Sequence, residues 1–260
     1  MKLVKDTAKR KGRKDVVEVI LPGGQWYKLY NGDFSLKVLP NGIVITDPPY
    51  NQGYHYRVYD DRLSTPEYLA LLRKVPKPCV IVHYPEESIN TLPKVWGKVE
   101  EVVSWIYNSN TAKQSRLITW WGCKPDFRKY GQEYKNPKDR RVAKLIAEGK
   151  KNRLYDWWDI SPVKNTSHEK VKGDVIHPCQ TPEEVIRRII ATTVKKGQTI
   201  IDPFLGSGSV GKIAVEMGFN FIGYEIDPEY FKMAKKRIAA CQPGAVHPGM
   251  GYWMSQQKAA

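Results

Sequence analysis

The chain has 260 residues and carries 42 Lys and Arg against 27 Asp and Glu, a formal net charge of +15. That length accommodates one substantial α/β domain with an inserted module, and the charge favours a polyanionic partner such as nucleic acid. Four scattered cysteines (Cys79, Cys123, Cys179 and Cys241) form no C-x-x-C pair and suggest neither a zinc site nor a disulfide framework, so no metal is expected.

No apolar run approaches the roughly 18 to 20 residues a membrane span needs, and the N-terminus lacks the apolar core of a signal peptide. A cytoplasmic protein with reduced thiols and no membrane partner is the expectation.

The opening MKLVKDTAKRKGRK has seven Lys or Arg in fourteen residues and no apolar period, which predicts a basic flexible arm over 1–18. Order is expected from about GGQWYKLYNGD. Gly42-Ile43-Val44-Ile45-Thr46 reads as a short buried strand ending at Asp47. Thr65-Pro66-Glu67 opens a helix carrying Tyr68, Leu69, Leu71, Leu72 and Val75, closed by Pro76 and Pro78. Cys79 to Tyr84 is a second strand, with His83 read as a packed histidine. Two more β-rich runs, VVSWIYN and RLITWW, precede a polar, basic and aromatic region over about 124–172, the expected insert. Within it, Asn136-Pro137 is expected to cap a short helix through Ile146.

The C-terminal third alternates strand and helix. Thr181-Pro182-Glu183-Glu184 combines an N-cap, a proline at the first helical position and a capping-box acid ahead of Val185, Ile186, Ile189 and Ile190. Thr199 to Ile201 is a strand, Val210 to Met217 a helix, Phe221 to Tyr224 a strand and Pro228 to Ala240 a helix. This order predicts parallel strands joined by right-handed crossovers. The segment 242–260 is expected to be loosely held.

Between the last two strands lies Asp202-Pro203-Phe204-Leu205-Gly206-Ser207-Gly208-Ser209, in a strand-to-helix turn where backbone N–H groups face a ligand. It contains G-x-G-x-x-G and nearly completes a phosphate-binding P-loop, but Ile213 replaces the hydroxyl residue that would hold magnesium. Glu225 follows Gly206 by nineteen residues, the spacing at which an acid accepts hydrogen bonds from ribose. The ligand is therefore expected to carry a nucleoside; dinucleotide and S-adenosylmethionine sites both satisfy the pattern.

The sequence Asp47-Pro48-Pro49-Tyr50 invites a chemical reading of its own. The amino nitrogen of a nucleobase is a poor nucleophile while its lone pair is delocalised into the ring. A carboxylate from Asp47 and the Pro48 carbonyl could hold its hydrogens, the prolines removing competing donors, while Tyr50 offers a stacking face. D-P-P can also simply end a strand in a turn.

These motifs together resemble the β class of amino-methyltransferases acting on DNA. Asp47 to Tyr50 resembles the D/N/S-P-P-Y/F catalytic motif, and Asp202 to Ser209 the cofactor motif D-P-F-x-G-S-G-T with Ser209 for Thr. His177-Pro178-Cys179-Gln180-Thr181-Pro182 resembles H-P-T-Q-K-P, with Cys179 and Thr181 departing, and Gly32-Asp33 resembles a G-D segment. The order, with DPPY before the basic region and the cofactor loop last, is that of the β class. Glutamine-modifying relatives carry N-P-P-Y after the loop.

The resemblance implies a Rossmann-like methyltransferase fold, a mostly parallel twisted α/β sheet with helices on both faces, in a domain over 19–241 with a target-recognition insert at 124–172. It implies S-adenosylmethionine as cofactor, held by Asp33, His177, Gln180, Asp202, Pro203, Phe204, Gly206, Gly208 and Glu225. Catalysis falls to Asp47, Pro48, Pro49 and Tyr50. The implied reaction is methylation of adenine N6 in DNA; the alternatives are cytosine N4, or a non-catalytic nucleotide-dependent DNA-binding protein. Lys and Arg of the insert, with Tyr155, Trp157 and Trp158, are the expected recognition surface. A homodimer and a cognate restriction enzyme are compatible as further partners, as is neither, and DNA binding implies association with the nucleoid.

Overall fold

The run Ile43-Val44-Ile45-Thr46 is buried along its whole length, as a strand covered on both faces must be. It forms β3 of a nine-stranded sheet in a computed structural model that describes residues 16–54, 56–109, 112–163 and 180–243. The strands before it are β1 (Val16–Ile20) and β2 (Trp26–Asn31). After β3 (Ile43–Thr46) come α1 (Thr65–Leu72), β4 (Cys79–His83), α2 (Pro85–Asn90), α3 (Pro93–Trp96), β5 (Glu101–Ile106) and β6 (Ser115–Trp121). The chain continues through α4 (Arg140–Ala147), β7 (Trp157–Asp159), α5 (Glu183–Thr193), β8 (Thr199–Asp202), α6 (Ser209–Glu216), β9 (Asn220–Glu225) and α7 (Pro228–Ala239).

The spatial order is β1-β2-β9-β8-β3-β4-β6-β5-β7. From β2 to β4 every neighbouring pair is parallel, so the carboxyl ends of β9, β8, β3 and β4 open on one edge. β6 runs antiparallel to β4, with Leu117 opposite His83, which brings the start of β6 to that same edge. This is where an open α/β sheet places its ligands.

Alternation along the strands assigns the helices to two layers. Ile43, Ile45, Val80 and Val82 pack with Ile186 and Ile189 of α5, Ile213 of α6 and Phe231 of α7. Val44, Cys79 and Ile81 face the other way, against Leu72 of α1 and Trp96 of α3. The expected α/β fold, mostly parallel with helices on both faces, is the one observed.

Several local expectations need correction. β1 begins at Val16, so the last three residues of the predicted 1–18 arm belong to a strand paired antiparallel with β2. α4 is capped by Asp139 and not by Asn136, since the Asp139 carboxylate accepts the N–H groups of Arg141 at 2.9 Å and Val142 at 3.2 Å. α5 starts at Glu183 with no side-chain cap; Thr181 directs its hydroxyl elsewhere. The predicted insert is not wholly separate, because β7 pairs with β5 and buries Trp158 in the main core. The remaining tail and arm residues, apart from 16–18, 242 and 243, lie outside the described residues.

Candidate active site

Each of the three central parallel strands ends at an acid: Asp47 just past β3, Asp202 closing β8 and Glu225 closing β9. Burial of the neighbouring strands leaves their last backbone groups facing the open edge, where polar side chains find partners. Thr46 Oγ1 donates to Asp202 Oδ1 at 2.6 Å, and the Phe204 N–H donates to the same oxygen at 3.1 Å. Thr181 Oγ1 donates to Asp47 Oδ2 at 2.6 Å. A threonine hydroxyl thus holds each of these carboxylates from another segment of chain.

Glu225 ties the glycine loop to the sheet. Its Oε2 accepts the Gly206 N–H at 2.7 Å and its Oε1 the Asp227 N–H at 2.8 Å. Gly208 opens α6 at φ +81°, and a Cβ there would sit 3.0 Å from the Ala234 backbone, so both the left-handed turn and the approach of α7 require glycine. Asp33 caps a 3-10 turn by accepting the Ser35 N–H at 2.8 Å, and Phe34 meets Phe204 edge to face at 4.8 Å.

One pocket joins these parts: Asp33, Pro203, Phe204, Gly206 and Glu225 share its wall with Asp47, Pro48, Pro49 and Tyr50. Asp202, Gln180 and Gly208 are not on that wall. Asp202 is buried behind it, and Gly208 acts through packing against α7. His177 lies outside the described residues.

The pocket also has a floor residue that the motifs did not single out. Asp227 caps α7 through Oδ1, which accepts the Glu229 N–H at 2.7 Å. Its Oδ2 is buried without a hydrogen bond and lies 3.7 Å from Arg57 Nε. An Asp-Pro at the start of a helix is a recognisable cap; that Asp227 also lines a pocket shared with Tyr59 and Tyr230 has no mark in the sequence.

Behind the proline pair a chain of hydrogen bonds fixes the loop. The Tyr84 N–H donates to His83 Nδ1 at 2.9 Å, which leaves the imidazole proton on Nε2. Nε2 lies 2.8 Å from Tyr68 Oη, and Tyr68 Oη donates to the Pro49 carbonyl at 2.8 Å. Burial, reinforced by the charges of Arg116 and Lys113, lowers the His83 pKa to about 3, so the ring is neutral. Its centroid lies 4.4 Å from that of Tyr50. His83 is packed, as expected, and it supports the Asp47 to Tyr50 segment.

The segment after the motif is pinned by Asp61, whose carboxylate accepts the N–H groups of Asn51, Gln52 and Tyr54 at 2.8, 3.0 and 2.9 Å. No sequence period marks such a residue.

The acids are electrostatically unusual. Burial raises the Asp47 carboxyl above the ordinary carboxylate range, opposed by Arg116 and by the Thr181 and Tyr50 hydroxyls. Burial pushes Asp202 up to about 7, with Thr46 and the Phe204 N–H opposing and the charges of Asp47 and Glu225 adding to it. Glu225 is likewise pushed up to about 7, chiefly by burial. Clustered acids with raised pKa values suit a cationic or hydrogen-bond-donating ligand.

An open α/β sheet with a glycine loop, strand-end acids and a DPPY motif around one pocket defines a nucleoside-binding enzyme of the Rossmann-like class. The chain belongs to the DNA methylase family, whose sequence model matches residues 96–236, and it is a DNA amino-methyltransferase of the DPPY type. Type II methyltransferase M.HpaI of Haemophilus parainfluenzae is 28% identical over 222 residues, covering 75% of this chain and 67% of that one. Among solved structures, the cytosine-N4-specific PvuII DNA methyltransferase shares the fold with a TM-score of 0.58 at 17% identity, over 90% of this chain and 93% of that one. TTHA0409 from Thermus thermophilus, solved with S-adenosyl-L-methionine, has a TM-score of 0.51 at 19% identity, over 84% and 99%.

Proposed function

We propose that this DNA methyltransferase uses S-adenosylmethionine to methylate the exocyclic N6 of adenine in DNA. The observation that carries the reading is the single pocket walled both by Asp47 to Tyr50 and by Pro203 to Gly206 with Glu225. Two segments more than 150 residues apart, coupled by the Thr46–Asp202 hydrogen bond, present a nucleoside site and an amine-gripping acid to the same space. When bound, the cofactor supplies an electrophilic methyl group on a sulfonium.

The residues present fit that ligand. Asp227 Oδ2 is a buried acceptor in want of a donor, Glu225 keeps lone pairs beyond its two backbone bonds, and Asp33 reaches the pocket from beside Phe34. Ribose hydroxyls and an adenine amine are donors of the required kind. Asp202, buried behind the wall and near Asp47, would stabilise a cationic group held there by giving up its proton.

A base in duplex DNA must leave the stack to reach Asp47, at a cost of a few kcal/mol. Stacking on Tyr50 and hydrogen bonds from the amine to Asp47 and the Pro48 carbonyl offset it. Tyr68 holds the neighbouring Pro49 carbonyl, so the grip is preorganised. Orientation of the amine lone pair and electrostatics supply the catalysis, and the surplus proton leaves the nitrogen after transfer.

DNA would be held by the basic surface of the 124–163 segment. There α4 has no buried residue, with Arg140, Arg141 and Lys144 exposed, and Lys135 sits 4.8 Å from the Tyr155 ring and 4.4 Å from Trp157. Trp158 is withdrawn from this proposal by its burial. A homodimer and a restriction partner remain compatible additions. Among the described residues no helix is long and apolar enough to cross a membrane.

The test is transfer of labelled methyl from S-adenosylmethionine to DNA, followed by nucleoside analysis. N6-methyladenine supports the reading, N4-methylcytosine replaces the base, and an unlabelled DNA product overturns it.

A further inference from the structure

Arg116 stands at the second position of β6, opposite Trp105 of β5. In the sheet β6 lies beyond β4, on the side of β3 away from β8 and β9. The pocket just assigned to the cofactor is built on β8 and β9 and does not include Arg116. Asp47 therefore separates two territories, with a guanidinium on the one the cofactor does not occupy.

The guanidinium is enclosed by rings. Its carbon lies 5.3 Å from the centroid of Tyr50, 4.4 Å from Tyr84, 5.8 Å from Trp105 and 5.5 Å from Tyr107. Among the described residues no carboxylate lies within ion-pair distance of it, and its hydrogen bond goes to the Tyr107 hydroxyl. A guanidinium has five N–H donors in a planar fork. Aromatic faces satisfy the charge but accept few of those donors, so a half-buried arginine in this setting has hydrogen bonds left to give. It is also a near neighbour of the Asp47 charge.

We propose that Arg116 reads the extruded base, donating to the unprotonated ring nitrogen that flanks its exocyclic amine. A base stacked on Tyr50 and gripped by Asp47 turns the atoms beside its amine toward the guanidinium that neighbours both. In adenine that atom is N1 and in cytosine N3, each an acceptor. Thymine presents an N–H beside its exocyclic oxygen and would set donor against donor. Arg116 is thus a specificity residue that complements Asp47: the acid requires an amine, the guanidinium requires an acceptor next to it. This rests on the methyltransferase reading of the pocket but not on which of the two bases is modified.

The experiment uses the full-length protein and duplex oligonucleotides bearing its methylated site. The target base is natural or carries C–H in place of the flanking ring nitrogen, as 1-deazaadenine or 3-deazacytosine. The kcat/KM for methyl transfer is measured for wild type and Arg116→Met. Wild type should lose roughly ten- to a hundredfold on the deaza base, the usual effect of one charged hydrogen bond. Arg116→Met should be slower on the natural base and show less than about a threefold further loss on the analogue, since the partner is already gone. Equal fold-losses in both proteins, as a phosphate-binding or purely structural arginine would give, overturn the proposal, as does a wild type indifferent to the analogue. If Arg116→Met does not fold, Arg116→Lys takes its place, with a reduced but non-zero dependence on the ring nitrogen expected and full wild-type dependence counting against the proposal. A wild type that labels no natural DNA sinks the parent reading itself.

Discussion

Thr181 and Asp47 are 134 residues apart in sequence, and the hydroxyl of one donates to Oδ2 of the other at 2.6 Å. The contact fixes the rotation of the carboxylate and favours its charged form. Position 181 departs from the lysine of the motif it resembles, so the proposed catalytic acid is here held by a neutral donor. Thr181→Val should lower kcat by roughly three- to thirtyfold and shift the acidic limb of the kcat–pH profile upward, because a carboxylate deprived of its donor is protonated more easily. Thr181→Ser should restore the wild-type profile. A valine variant with an unmoved limb would separate Thr181 from the chemistry.

Asp47→Ala should remove methyl transfer below detection while cofactor affinity stays within about threefold of wild type, since the groups proposed to face the nucleoside belong to β8, β9 and the turn at Asp33. Calorimetry with S-adenosylmethionine and a label-transfer assay on the same preparation provide the comparison. Retained transfer would show that the acid does not grip the amine.

Asp202 and Glu225 titrate near 7 in the folded chain, against 3.8 and 4.5 without its environment. The folded state therefore binds more protons than the unfolded one between those values. The stability they contribute is complete below about pH 4 and is lost as pH rises through about 7. Asp202→Asn should flatten that decline and make the ligand-free protein more stable than wild type at pH 8, by on the order of 1–3 kcal/mol. Urea denaturation across pH 5 to 8 measures it, and an unchanged slope would contradict the assignment.

Tyr68 links His83 to the Pro49 carbonyl through its hydroxyl. Tyr68→Phe leaves the His83 Nε2–H and that carbonyl without the partner and should cost roughly 1–3 kcal/mol of stability. Because the same chain supports the Tyr50 loop, kcat should fall as well. Equilibrium unfolding together with single-turnover transfer tests both, and a variant unchanged in either respect would remove the proposed support.

The chemistry-bearing motifs were legible because each is local. Asp47 to Tyr50 and Asp202 to Gly208 combine backbone restriction with short polar side chains, and such geometry is written in consecutive residues. The strand–helix alternation of the last third was legible for a related reason, since β8, β9, α6 and α7 bury continuous apolar runs or stripes. The hairpin β1–β2 was less visible, and the cap at Thr181 was misread because a threonine before Pro-Glu-Glu satisfies the local rule whether or not its hydroxyl is used locally.

What this sequence determined by itself was the set of parts: a glycine loop with a following acid, a proline-locked carboxylate and a basic chain to meet DNA. Only the tertiary structure decided how they meet. It put Asp47 on the pocket wall and near Arg116, gave Thr181 to Asp47 and Thr46 to Asp202, and buried Asp227. Those pairings depend on sheet order and on which side chains are left without water, and neither is encoded in any single stretch of chain.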